Sequence, residues 1–185
     1  MRRDLDAETV RELLDELTKR LSERGVVGTI RVAGGAAMLL RFPDDRAVRV
    51  TRDIDALIEP RDEVEDVVAE MAEDLGLASG WLNAAGASWL RVDATPSDQH
   101  VTVAIATPRE LIAMKMAAAR DKDFADLGIL VRHLGITEPD DLVHIAYQVY
   151  GDDAVELPDG RESYRWYAES VIKEAYRPTR RRRDD

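Results

Sequence analysis

The chain has 185 residues, the length of one domain with room for a short helical extension. It carries 26 lysines and arginines against 37 aspartates and glutamates, a formal charge of −11, which argues against a protein that coats nucleic acid through clustered cations. Cysteine is absent, which excludes disulfides and a cysteine nucleophile, and the three histidines are too scattered for a zinc cluster. Because there is no apolar run of about 18 residues and no apolar signal core, we expect a cytoplasmic protein without a membrane span.

The first half of the chain alternates between helical and strand-like patterns. Apolar residues recur at helical spacing over residues 10–21 and 64–75, which predicts two amphipathic helices. A β-branched run at 29–33 and an alternating pattern at 48–58 predict two strands. A short apolar helix is expected between them, at residues 36–40.

The second half begins with a loop at 78–88 and two predicted strands at 89–92 and 101–105. Thr107 and Pro108 form a helix start, and the helix that follows is apolar on most sides, so we expect it to be buried. Only helices are predicted after it.

These elements predict an α/β (α+β) fold, in which a mixed sheet is flanked by helices and the C-terminal half is helical. We expect a first domain at residues 1–135, a helical extension packed on it at 136–176 and a basic tail at 177–185. The five arginines of that tail are typical of a disordered, solvated segment, and binding of an anionic substrate or an acidic partner is the alternative.

Two glycines, Gly34 and Gly35, stand between the strand at 29–33 and the short helix. Glycines in this position let a backbone approach a phosphate, and the N-terminus of the helix offers free N–H groups. An ordinary tight turn is the alternative interpretation.

Asp53 and Asp55 lie on the second predicted strand, where alternate side chains project from the same face. Two carboxylates side by side repel unless a cation screens them, and one or two Mg²⁺ ions would bridge them. A solvated strand face is the alternative.

Lys115 is the one charged residue within the apolar stretch 111–116, in what we expect to be the first turns of a helix. A buried ammonium needs a partner or a ligand, and triphosphate oxygens suit it; a lysine that reaches solvent at the helix edge is the alternative. Asp123 and Asp126 are spaced to share a helix face and could orient Lys115, whereas Asp121 or Asp123 could instead cap the helix.

Taken together, these residues supply a phosphate cradle, metal ligands, charge neutralisation and a polar orienting group for phosphoryl transfer. The segments Gly34-Gly35-Ala36-Ala37 and Thr51-Arg52-Asp53-Ile54-Asp55 resemble the signature of the DNA polymerase β-like nucleotidyltransferases. The stretch 108–115, with Arg120-Asp121-Lys122-Asp123-x-x-Asp126 after it, is similar to the Lys and Arg-Asp-x-x-Asp motifs of their AbiEii/MenT branch, which holds toxins of bacterial toxin–antitoxin systems. The resemblance implies a nucleotidyltransferase-like fold.

This resemblance implies a Mg²⁺- or Mn²⁺-dependent enzyme that transfers NMP from an NTP to a tRNA-like RNA or a protein, as the toxin of a toxin–antitoxin pair with a cognate antitoxin. The resemblance assigns the residues as follows: Asp53 and Asp55 to the metal, Gly34, Gly35, Arg52 and Lys115 to the nucleotide, and Asp123 and Asp126 to completion of the catalytic site.

The sequence departs from the family pattern at two points. Gly35 replaces the serine or threonine that often follows the first glycine, and Asp93 is the only candidate for a third carboxylate. A non-catalytic relative that binds a partner or a nucleotide is therefore the alternative function. The other alternative function is an adenylyltransferase with a small polycationic acceptor, because the acidic surface would suit such an acceptor.

Overall fold

The computed structural model describes residues 4–86, 89–90 and 100–177. The chain divides into two compact units, Met1–Thr107 and Pro108–Asp185. The elements of the first unit are α1 (Ala7–Glu23), β1 (Gly28–Val32), α2 (Gly34–Arg41), β2 (Ile54–Glu59), α3 (Arg61–Leu75), β3 (Leu82–Asn83) and β4 (Val101–Ile105). The elements of the second unit are α4 (Pro108–Ala118), α5 (Asp121–Leu134), α6 (Pro139–Tyr150) and α7 (Gly160–Ala175).

The four strands form one mixed sheet in the order β3-β2-β1-β4. β1 is central: it pairs antiparallel with β2 and parallel with β4, while β3 pairs parallel with β2. Helices cover this sheet, with α1 packed on α2, α3 and β4. The predicted α/β architecture with a helical C-terminal half is confirmed.

Helix α1 shows why the sequence folds this way locally. Asp6 caps it by accepting a hydrogen bond from the Thr9 backbone N–H at 2.9 Å, which satisfies one of the free donors of the first turn. The apolar residues predicted to form one face are all buried: Val10, Leu13, Leu14, Leu17 and Leu21. Burial of this stripe against the sheet stabilises the helix more than its intrinsic propensity does.

The prediction of a strand over 48–58 is wrong in its first half, because β2 begins only at Ile54. The backbone of Thr51 instead exchanges two hydrogen bonds with Leu5, at 2.7 and 3.0 Å, in an isolated antiparallel bridge. Val50 is accordingly exposed rather than part of the buried face. Asp53 therefore lies in a bend just before the strand, and only Asp55 lies within it.

The predicted strand at 89–92 is not seen where the chain is described: Trp89 and Leu90 are outside any strand, and residues 91–92 lie outside the described residues. The loop predicted at 78–88 contains the two-residue strand β3. Trp81, directly before it, is buried, and its indole N–H donates to the Val68 carbonyl at 3.0 Å. This contact holds the start of β3 against α3.

The second unit consists of helices in its described part. α4 packs on α5 and α6, and α7 packs on α5 and α6. The expectation that α4 is buried is confirmed, since every residue from Leu111 to Met116 is inaccessible to solvent or nearly so. The predicted domain boundary at residue 135 coincides with the end of α5, where Gly135 adopts a left-handed conformation; the division into domains at that point stays a prediction.

Among the described residues, no helix combines the length and the apolar character that a membrane span requires.

Candidate functional site

The double glycine does not separate a strand from a helix, as the sequence suggests, but forms the first turn of α2 itself. Gly34 has a φ of +59°, a conformation that favours glycine. A Cβ atom built on Gly34 would lie 2.5 Å from Oδ2 of Asp55, closer than real Cβ contacts allow. The carboxylate of Asp55 therefore lies directly against the backbone at the N-terminus of α2.

A second glycine borders the same side chain from another direction. A Cβ built on Gly86 would lie 3.0 Å from the Cβ of Asp55. The backbone of Asp55 is held as well, because its carbonyl accepts a hydrogen bond from the Ala33 N–H at 2.8 Å. The side chain of Asp55 thus lies between the backbones of Gly34 and Gly86. Gly86 belongs to no motif, and no signal in the sequence identifies it as a neighbour of Asp55.

Thr51 is the polar neighbour of Gly35. A Cβ built on Gly35 would lie 3.0 Å from Oγ1 of Thr51, and this hydroxyl donates to the Asp53 carbonyl at 3.1 Å. Thr51 opens the Thr-Arg-Asp-x-Asp segment, but the sequence alone assigns it no role. The structure thus places the Thr51 hydroxyl beside the second glycine of the pair.

The other predicted residues of this unit are more open. Asp53 is half-buried, and among the described residues its carboxylate makes no ion pair. The side chain of Arg52 is 72% exposed, and its Nε lies 3.8 Å from Oδ1 of Asp4. Such an exposed pair stabilises the fold little, so the guanidinium is accessible to a ligand.

A helix N-terminus and carboxylates are the kinds of group that phosphate and cation sites use. The capping residue of α2, Ala33, makes no side-chain capping hydrogen bond, and the N-terminus of a helix favours a negative charge such as the Asp55 carboxylate or a phosphate. Two carboxylates, Asp53 and Asp55, fit Mg²⁺, which is often bound by one or two protein carboxylates together with substrate phosphates and waters. No group of three potential metal ligands occurs in the described ranges, and Asp93 lies outside them.

The second unit holds a buried ionic cluster. Nζ of Lys115 lies 2.6 Å from Oδ2 of Asp126 and 3.4 Å from Oδ1 of Asp123. All three residues are less than a tenth exposed. The interpretation of Lys115 as a buried, partnered ammonium is confirmed, and the alternative of a solvent-reaching lysine is wrong.

Two details of this cluster differ from expectation. Lys115 lies in the last turn of α4, not the first turns, because the helix begins at Pro108 and ends at Ala118. Arg120 occupies the N-cap of α5, and no side chain caps that end, so capping by Asp121 or Asp123 is wrong. Asp123 instead accepts a hydrogen bond from Nε of Arg120 at 2.6 Å.

The formal charges of the cluster balance, because its two cations, Lys115 and Arg120, are matched by two carboxylates, Asp123 and Asp126. Burial alone would raise the pKa of Asp123, but the hydrogen bond from Arg120 and the charge of Lys115 outweigh it and hold the pKa below its ordinary value of 3.8. Burial also raises the pKa of Tyr167 on α7 to about 12, with the nearby charges of Asp123 and Asp121 acting in the same direction.

The lowered pKa of Asp123 predicts a pH-dependent stability. As the pH falls, the Asp123 carboxyl is protonated at a higher pH in the unfolded chain than in the folded chain. The contribution of Asp123 to the free energy of unfolding is therefore complete above the ordinary carboxyl pKa of 3.8. It is lost as the pH falls below that value towards the folded-state pKa. We expect Asp123→Asn to flatten the acid limb of the melting temperature measured between about pH 2.5 and pH 7; an acid limb as steep as that of the unmodified protein would contradict this.

The fold and this site together define the class. The four-stranded mixed sheet with its flanking helices and the helical second half is consistent with a nucleotidyltransferase-like fold. The chain belongs to a family described as nucleotidyltransferases of unknown function (DUF6036), whose sequence pattern matches residues 8–148. No curated protein and no solved structure matches the chain significantly. The family confirms the predicted class of nucleotidyltransferase; membership of the AbiEii/MenT branch stays a prediction.

Proposed function

We propose that the protein is a Mg²⁺-dependent nucleotidyltransferase that transfers NMP from an NTP to a tRNA-like RNA or to a protein. The observation that carries this proposal is the contact of the Asp55 carboxylate with the glycine backbone at the start of α2. It brings a cation ligand and a phosphate-binding helix end to the same place. The family match supports the reaction class.

Each residue of the first unit has a role in this proposal. Asp53 and Asp55 would hold Mg²⁺ or Mn²⁺, and the bound cation would neutralise charge on the triphosphate. The backbone N–H groups of Gly34 and Gly35 bind phosphate oxygens, and the exposed Arg52 adds a cation. An acceptor oxygen attacks the α-phosphorus, the bond from that phosphorus to the bridging oxygen breaks, and pyrophosphate leaves while the acceptor proton passes to a carboxylate or to water.

We assign the second cluster to the same reaction. On the basis of the sequence resemblance, Lys115 would neutralise charge on the triphosphate, and Asp123 and Asp126 would orient its ammonium. Their contacts with Nζ support a positioning role for both carboxylates, because an ammonium held at 2.6 and 3.4 Å cannot sample other orientations freely.

The reaction is tested by incubating the protein with each of four α-labelled NTPs, Mg²⁺, and either total tRNA or a protein lysate. We expect label in one of the two acceptors and none when EDTA removes the cation. Label in neither acceptor, although calorimetry shows binding of Mg²⁺ and an NTP, would favour a non-catalytic relative. In a further reaction with a small polycation as the acceptor, label on that acceptor alone would favour the small-molecule enzyme that the charge of −11 suits.

We extend the proposal to a toxin role with a cognate antitoxin on the basis of the sequence resemblance. Induced expression in a bacterial host should then arrest growth, and Asp55→Asn should relieve the arrest at equal protein level. Unimpaired growth with active, soluble protein would contradict the toxin role and leave the transfer reaction standing.

A further inference from the structure

One face of α7 combines aromatic and cationic side chains in a way that the proposed reaction does not use. Trp166, Ser170 and Lys173 follow one another at spacings of four and three residues, which places them on the same side of the helix. The side of the helix that carries Trp166 is open, because this residue is 67% exposed. Exposure of two thirds of a tryptophan is unusual, because this residue type is highly buried on average.

Ser170 and Lys173 of this face also line a cavity. It has a volume of about 480 Å³ and is lined by Phe124 of α5 and by Ser170, Lys173, Glu174 and Arg177. This volume lies within the range of roughly 300–1,000 Å³ that is usual for small-ligand clefts. We call Trp166 and the residues of this cavity the α7 face.

The charges of the α7 face favour an anion. Lys173 and Arg177 outnumber Glu174, whose Oε2 lies 3.4 Å from Nη1 of Arg177. This pair is exposed on both sides, so it contributes little and a phosphate can replace the carboxylate. Residues 161–185 contain eight arginines and lysines against five acidic residues, although the chain as a whole carries −11.

We propose that the α7 face binds single-stranded RNA, with a base stacked on Trp166 and the backbone phosphates bound by Lys173 and Arg177. Single-strand binders combine aromatic stacking platforms with a positive groove in this way. Binding of an acidic protein would explain the cations, but it would not explain the exposed indole of Trp166 beside them. The inference rests on the proposed function, because it identifies RNA as the acceptor class.

Fluorescence anisotropy of a labelled single-stranded RNA oligonucleotide on the full chain tests the proposal. Trp166→Ala should weaken binding about tenfold or more, the size expected from loss of one stacked base. Lys173→Gln with Arg177→Gln should reduce the slope of log affinity against log salt by about 1.4, since each phosphate contact on a single strand contributes about 0.7. The control pair Arg11→Gln with Lys19→Gln removes the same charge from α1 and should leave the slope nearly unchanged.

The outcomes separate this inference from the proposed function. RNA affinity that is unaffected by Trp166→Ala, or no RNA binding by the unmodified protein, overturns the inference even if NTP transfer to a protein is found. A stronger affinity for polyglutamate than for RNA, insensitive to Trp166→Ala, overturns it in favour of an acidic protein partner. RNA binding that depends on Trp166 and both cations supports the RNA site on the α7 face; if transfer activity is then absent, the proposed function fails and the RNA site stands without an acceptor role.

Discussion

Replacement of Asp55 by asparagine is expected to lower NMP transfer by about 10³-fold, equivalent to about 4 kcal/mol of transition-state stabilisation. Asparagine keeps the shape of the side chain between Gly34 and Gly86 and removes only its charge. The fold should therefore persist while the cation and the triphosphate lose a ligand. Initial rates of labelled-NTP transfer, with circular dichroism to verify folding, measure the effect.

Asp62→Asn is the matched control, because Asp62 is an exposed carboxylate in the first turn of α3. This variant should transfer at a rate within about twofold of the unmodified protein, since surface changes of this kind have small effects. Equal transfer by folded Asp55→Asn and by the unmodified protein would remove Asp55 from the catalytic site.

Replacement of Lys115 by methionine is expected to lower the free energy of unfolding by about 3–5 kcal/mol. The variant leaves Asp123 and Asp126 buried without the ammonium that contacts both of them. An uncompensated buried carboxylate costs more than the pair itself contributes. Urea denaturation followed by circular dichroism measures the loss.

The double variant Lys115→Met with Asp126→Leu provides the internal test. It removes both members of the shorter contact and leaves Asp123 with Arg120, so we expect it to recover much of the lost stability. Lys19→Met, at a lysine that is 64% exposed, should change stability by less than about 0.5 kcal/mol. A loss no larger for Lys115→Met than for Lys19→Met would show that the cluster contributes nothing to stability.

The sequence predicts the fold where periodicity and local caps agree. Helix α1 and strand β4 follow from apolar spacing, and Pro108 marks the start of α4. The prediction fails before β2, where alternation continues but the backbone hydrogen bonds of Thr51 go to Leu5, far away in the chain. Side-chain patterns do not report which segment a backbone pairs with, so this boundary could not be found from the sequence.

The same limit applies to the site. Lys115 stands out in the sequence because a charge in an apolar helix needs partners, and Asp123 and Asp126 follow at a spacing that supplies them. Gly86 and Thr51 could not be identified in this way, because their proximity to Asp55 and Gly35 arises only from the packing of the chain. Arg120 belongs to the motif at 120–126, but its hydrogen bond to Asp123 follows only from the start of α5 directly after it.

Binding of Mn²⁺ in the presence of a non-hydrolysable NTP, followed by electron paramagnetic resonance, tests the central claim most directly. If Asp53 and Asp55 hold the cation beside the glycine turn, the unmodified protein should bind Mn²⁺ together with the nucleotide. The folded double variant Asp53→Asn with Asp55→Asn should lose at least about tenfold in that affinity. Equal Mn²⁺ binding by the two proteins, or none by the unmodified protein with any NTP analogue, would contradict the account.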